Sequence, residues 1–176
     1  FHELVRDFVQ RSSDSSVEVE TNGAVERLIS YGVGALFQKH NEWYGADRTV
    51  SRNALRYFDS HRELLLDALA AAYDRNIRDA YLIMAKGLTP FAPLRLTASE
   101  RIRISAQMLI FAREEGAYEP QLDALQELGQ ANMFEGNAAE AISSLENGLR
   151  IAEDNADTLA VARFSNLLSQ VYFLLG

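Results

Sequence analysis

Three histidines, His2, His40 and His61, are the only side chains in this 176-residue chain with an ordinary pKa near neutrality. Two metal ligands or an acid–base pair on one helix face need i, i+3 or i+4 spacing, and no two of the three share it. His40 and His61 therefore read as solvent-facing residues. Carboxylates are plentiful, as in Glu114-Glu115 and Glu153-Asp154. Acid–base chemistry needs them to converge in a pocket that shifts their pKa values. Spread along polar helix faces, they read as solvated charges and i,i+4 partners of Lys and Arg. Cysteine is absent, which removes disulfides, thiolate nucleophiles and cysteine metal sites and fits a reducing compartment. No GxxxxGK[ST] segment offers a phosphate-binding loop. The expectation is a protein that binds without turnover: not an enzyme, with no metal and no cofactor of its own.

The bulk numbers narrow the partners. Seventeen Lys and Arg against 25 Asp and Glu give a net charge of -8 and a pI near 4.9. Nucleic-acid affinity comes largely from basic residues neutralising phosphates, so nucleic acid is not an expected ligand. No apolar run approaches the roughly 20 residues that a membrane span requires. No charged-then-apolar leader opens the chain. A cytoplasmic protein that meets no membrane is the expectation.

The elements that would carry any site are helical. The segment 24–44 places Val25, Leu28, Ile29, Val33, Leu36 and Phe37 at three- and four-residue steps, which predicts one apolar face, with Gly45 as a stop. The segment 51–76 reads as one helix or two, Asp59 or Ser60 being able to cap a second. The segment 77–88 is another helix, and the prolines of "TPFAPLRL" predict a loop after it. Thr97 and Glu100 have capping-box spacing, as do Asn137 and Glu140. Pro120 suits a first turn, Gly116 and Gly136 suit helix ends, and a last helix is predicted from Asp157. The polar stretch 11–23 reads as a linker because it can bury almost nothing. Phe37, Trp43 and Tyr44 read first as core and second as a partner-facing cluster.

Positions 97–176 repeat at a spacing of 40: Ile102 with Ile142, Leu109 with Leu149, Ala112 with Ala152, Leu128 with Leu168, Gly136 with Gly176. Self-similarity at such a period predicts an all-α solenoid of antiparallel helix pairs, seven or eight helices in all. In it Tyr172 to Leu175 would pack on a following helix, and left uncovered they would favour self-association.

"LQELGQANMFEGNAAEAISSLENGLRIAEDN" resembles a tetratricopeptide repeat. Leu125, Leu128 and Gly129 match the large residue and Leu-Gly pair of the first helix, Gly136 the turn, and Ala141, Leu145 and Gly148 the second helix. The copy at "SNLLSQVYFLLG" carries Leu168, Ser169, Tyr172 and Gly176 in the same phase. Two departures stand out: the period is 40 against the usual 34, and no proline closes the repeat. The likeness covers 118–176 and weakens upstream, and it implies that the all-α solenoid is right-handed.

"FHELVRDF" at the start resembles the Met-His-Asp-type motif that closes the winged-helix part of NB-ARC switches, in the STAND class of signalling ATPases. Phe for Met and Glu for Asp are departures. The likeness implies a fragment of a longer bacterial regulator: 1–23 the end of a winged-helix-like element plus linker, 24–96 an irregular helical arm, 97–176 tetratricopeptide-like repeats. It implies that Phe1, His2 and Glu3 are the remnant of a nucleotide-sensing motif, with ATP or ADP belonging to the parent protein and not to this piece. A protein or peptide partner, a small-molecule effector, or neighbouring domains of the parent would then meet the repeats. The first helix of each pair offers Gln126, Gln130 and Asn132, then Asn166 and Gln170, as a ligand face. A stand-alone adaptor scaffold is the alternative, told apart by whether a phosphate-binding loop lies upstream.

Overall fold

A computed structural model describes the backbone of residues 15–45 and 47–176, with side chains from residue 22 onward. Phe1, His2 and Glu3 lie outside the described residues. Among the described residues the secondary structure is all helical: α1 (Ser15–Trp43), α2 (Arg48–Asp74), α3 (Arg78–Leu88), α4 (Ala92–Arg95), α5 (Ala98–Glu114), α6 (Tyr118–Glu135), α7 (Ala138–Asp154) and α8 (Thr158–Leu175). The chain divides into two compact units, Phe1–Pro90 and Phe91–Gly176, six residues before the boundary that the repeat suggested.

In the first unit α1 packs on both α2 and α3. The contact depends on glycine. A Cβ on Gly32 would lie 2.7 Å from both the Ala68 Cβ and the Met84 Sδ, and one on Gly87 would lie 2.8 Å from the Leu36 Cβ. Around these crossings Leu36, Phe58, Leu65, Leu69, Tyr81, Met84 and Leu88 are all but fully buried. Each such side chain contributes about 1.5–3 kcal/mol of transfer free energy.

Several expectations are corrected here. The buried seam of α1 runs through Val25, Ile29, Gly32 and Leu36, whereas Phe37 is 59% exposed. A helix turns 100° per residue, so the neighbour of a seam residue points well away from it. Residues 15–23, read as linker, form the first turns of α1, because extending an existing helix costs far less than nucleating one. Residues 48–74 are a single helix, with Ser60 Oγ donating to the Arg56 carbonyl and capping nothing. The proline segment is not all loop: Pro93 sits in the first turn of α4, where its missing N–H is harmless.

In the second unit α5, α6, α7 and α8 each pack on the next, and α6 also touches α8. The Thr97 capping box forms: its Oγ1 accepts the Glu100 N–H at 3.2 Å and Glu100 Oε2 accepts the Thr97 N–H at 2.8 Å. The second box does not. Asn137 makes no side-chain cap; its Nδ2 donates to Asn132 Oδ1 at 3.3 Å instead. Gly129 and Gly148 sit at crossings: a Cβ on the former would come 2.5 Å from Leu145, and one on the latter would overlap the Phe164 ring.

One backbone turn recurs three times at the same spacing of 40. Helices end at Asp74, Glu114 and Asp154 and restart at Arg78, Tyr118 and Thr158. In each turn one residue takes a left-handed conformation: Asn76 at φ 55°, Gly116 at 62°, Ala156 at 54°. The following N–H then reaches back to an alanine carbonyl, Ile77 to Ala72 at 2.9 Å, Ala117 to Ala112 at 2.8 Å, Asp157 to Ala152 at 3.0 Å. This is the Schellman closure, which satisfies carbonyls that a helix end leaves open. The helix–turn–helix pattern thus begins inside the segment read as an irregular arm. Its first copy is broken where α3 ends at Leu88, and α4 ends at Arg95, 40 residues before the end of α6 at Glu135.

Candidate functional site

Two side-chain clusters could carry function. The first braces α1 against α2. Tyr31 and Tyr57 share a hydroxyl hydrogen bond of 2.5 Å, and His61 stacks on Tyr57 with ring centroids 4.2 Å apart. His61 Nδ1 lies 2.9 Å from the Tyr57 carbonyl oxygen, and Lys39 Nζ sits 4.8 Å over the Tyr57 ring. Burial, seconded by the Tyr57 hydroxyl, pushes the Tyr31 phenol up to about 12. The Lys39 ammonium, bonded at 2.8 Å, holds the Glu42 carboxyl below its usual range. Such a phenol stays protonated at any physiological pH, so it offers no base. His40 and His61, expected in solvent, are half-buried; His40 tilts against Tyr44 at 5.0 Å. Of the aromatic trio expected in the core, Phe37 and Tyr44 are more than half exposed and Trp43 is half-buried. No group of three or more His, Cys, Asp or Glu among the described residues could hold a metal ion.

The second cluster is a polar strip where α6 meets α8. On α6, Asp123, Gln126 and Gln130 follow i, i+3, i+7 spacing and share a face; on α8, Arg163, Asn166 and Gln170 repeat that spacing 40 residues later. Two contacts join the helices: Tyr118 Oη donates to Asp157 Oδ2 at 3.1 Å, and Arg163 Nη1 approaches Asp123 Oδ1 at 4.0 Å. The last is an ion pair at the limit of direct contact. Arg163 also lies over the Phe164 ring at 5.5 Å. Two buried polar atoms, Gln126 Oε1 on α6 and Arg163 Nε on α8, have no hydrogen-bond partner among the described residues. An unmatched acceptor and donor of this kind each cost about 1–3 kcal/mol until something satisfies them.

Asp157 closes the strip at one end. Its Oδ1 accepts the Ala160 N–H at 3.0 Å, and that bond, with the Tyr118 hydroxyl after it, holds the carboxyl below the usual aspartate range. Desolvation first and Asp157 second push the Tyr118 phenol up. Of the five residues expected on a ligand face, Gln126 and Gln130 are half-buried and Asn166 and Gln170 exposed along this strip. Asn132 is not with them. It is 7% exposed, donates to the Leu128 carbonyl at 2.9 Å and accepts from Asn137, so it serves the turn between α6 and α7.

Sequence reading missed Asp123 and Arg163. The signal was present: the two residues stand 40 apart, in phase with Gln126 and Asn166, with opposite charge. Chemically the strip offers amide donors and acceptors from two helices, together with one guanidinium. Such groups can bind and orient a polar chain. No protein-family model, no curated protein and no solved structure matches the chain.

Proposed function

We propose that this chain is a non-catalytic recognition arm whose repeats bind an extended peptide along the α6/α8 strip. The single observation that carries the reading is the pair of buried polar atoms without a partner among the described residues, Gln126 Oε1 and Arg163 Nε, on two helices that each carry amides at the same spacing. A peptide backbone presents N–H and C=O groups at regular intervals, the complement that such rows lack. The threefold turn at a 40-residue period supports a tetratricopeptide-like solenoid as the frame, since each helix pair of that kind buries its face only against neighbours. The resemblance of "FHELVRDF" to the NB-ARC motif supports reading the arm as part of a STAND-type regulatory ATPase, where occupancy of the strip would bias the switch by the ligand's differential affinity for its two states. A free-standing adaptor would use the same strip without a switch.

Selection of a phage-displayed random peptide library against the 176-residue chain tests the recognition step. Enriched clones should lose about tenfold or more in affinity to a Gln126→Ala, Gln130→Ala, Asn166→Ala variant of unchanged thermal midpoint. Clones indifferent to that variant, or none at all, would refute it. Calorimetry with ATP and ADP should give no heat of binding; micromolar affinity would contradict an arm that lacks its own nucleotide site.

A further inference from the structure

Three large apolar side chains recur at the 40-residue spacing of the turns: Leu94 of α4, Phe134 of α6 and Leu174 of α8. All three are exposed, at 50%, 71% and 67%. The exposure belongs to the register and not to the last helix, because helices follow both Leu94 and Phe134. Tyr172 and Phe173 differ: their counterparts Asn132 and Met133 are buried and half-buried, so they extend no row. Scattered surface leucines need no explanation, but one position left apolar and uncovered in three consecutive copies does.

Two further observations place the row. Phe134 follows Gln126 and Gln130 at four-residue steps, as Leu174 follows Asn166 and Gln170, so the row ends the amide strip on each helix. Asp123 and Arg163, themselves 40 apart, meet at 4.0 Å, which sets equivalent residues of α6 and α8 side by side. Helices in contact, as these two are, lie about 8–10 Å apart. The Phe134 ring is also held in place. The Arg101 guanidinium lies 5.7 Å from its centroid and is itself fixed on Glu127 at 3.0 Å. An aromatic immobilised beforehand forfeits little entropy on binding.

We propose that the row receives a peptide in the polyproline II conformation, crossing the helices with an apolar side chain at every third residue. The proposal rests on the reading of the strip as a peptide site and adds the ligand's sequence pattern and its direction at that end. A polyproline II chain has three residues per turn and rises about 3.1 Å per residue, so positions i, i+3 and i+6 point the same way about 9 Å apart. That step matches the spacing of packed helices, and one apolar side chain meets each of Leu94, Phe134 and Leu174. A β-strand turns successive residues to opposite sides, so its i and i+3 side chains cannot both face the row. A helix satisfies its own backbone and leaves nothing for the Gln126 acceptor or the amides beside the row. A polyproline II backbone makes no internal hydrogen bonds and keeps those groups free. Residues 91–176 hold twelve carboxylates against six arginines, which opposes a second copy or an anionic membrane surface and favours basic residues between the apolar ones.

A phage-displayed random peptide library selected on the 176-residue chain should enrich clones with apolar residues at i, i+3 and i+6. A synthetic peptide of an enriched clone should lose at least about tenfold in affinity to Phe134→Ser and to Leu174→Ser, read by fluorescence anisotropy. Leu174→Ser covers the case in which Phe134→Ser lowers the melting temperature through Arg101. An isomer of that peptide, with its apolar residues two apart, should bind at least about tenfold more weakly. Clones that require Gln126, Gln130 and Asn166 but lack the three-residue spacing, or that ignore both serine variants, would overturn the row and leave the strip standing. Clones with helical i, i+4, i+7 spacing, or self-association of the chain that Leu174→Ser abolishes, would give the row to another occupant and equally overturn it. The absence of any enriched clone would end both readings.

Discussion

The hairpins α5–α6 and α7–α8 occupy the same register yet distribute their volume in opposite ways. Where the first has Met108 and Ala124, both buried, the second has Gly148 under the Phe164 ring. The helix pair α2–α3 gives a third solution, Ala68 with Met84, both close enough to Gly32 that its Cβ would touch them. Every copy combines one small and one large residue, but the large one changes helix. A core tolerates such exchanges when total volume is kept. The polar content changes too. Arg101 of α5 is 5% exposed and bonds Glu127 of α6 at 3.0 Å; the second hairpin has Ala141 and Leu167 at these places, also buried. The recurring turn conserves backbone geometry, and the side chains conserve only the sum.

The most disruptive way to test that comparison is to alter one side of a pair. Phe164→Ala should cost about 3–5 kcal/mol as a cavity. Gly148→Met should cost about 3 kcal/mol or more, since its side chain would enter the phenyl ring. Combined, they reproduce the Met108/Ala124 solution, and urea melts of the double variant should recover about 2 kcal/mol of the summed loss. Simple additivity would show that the two hairpins do not pack alike.

Next in size is the buried ion pair. Glu127→Leu alone should destabilise by about 2–3 kcal/mol, because it strands the Arg101 guanidinium; the partial exposure of Glu127 keeps the cost from running higher. Adding Arg101→Met should return stability to within about 1 kcal/mol of wild type, as an apolar pair already serves at Ala141 and Leu167. Failure of that rescue would mean that Arg101 matters through its packing over Phe134, 5.7 Å away, and not through its charge.

The turns should respond more gently and with opposite sign. Gly116→Ala should lose about 1 kcal/mol, because an L side chain is strained at positive φ. Ala156→Gly, at the equivalent turn, should gain about 0.5 kcal/mol by releasing that strain. A loss at Ala156→Gly would show that its turn is held open by other contacts.

The smallest effect depends on pH. Asp157 is ionised at a lowered pKa in the folded chain, so its contribution is complete above the ordinary aspartate pKa and fades as pH falls through the folded value. Asp157→Ala should therefore melt below wild type above about pH 5, with the two curves converging as the pH drops past about 3.9. Tyr118→Phe should reproduce part of the shift. Parallel curves at every pH would assign the effect to helix propensity alone.

Much of the second unit could be read directly. Capping at Thr97, the left-handed turns at Gly116 and Gly136, and glycine at the crossings are short-range or steric demands that only certain residues meet. The first copy of the turn, at Asn76, escaped notice because Pro90 and Pro93 interrupt the second helix of its pair, and because its large residue is Met84 and its small one Ala68. The site was half legible. Gln126, Gln130, Asn166 and Gln170 follow from helical phase, but Asn132 shares the composition of the group and not its face. Arg163 and Asp123 looked like ordinary surface charges.

By itself the sequence determined the helical class, the absence of thiol chemistry, the Thr97 cap and a 40-residue register, since propensity, periodicity and left-handed turns act within a few residues along the chain. Tertiary structure alone decided which neighbour a seam residue meets, which half of α1 is buried, and which polar atoms are left unmatched where α6 approaches α8. Those outcomes depend on contacts between residues tens of positions apart, and burial, unlike helicity, is settled only when both surfaces are in place.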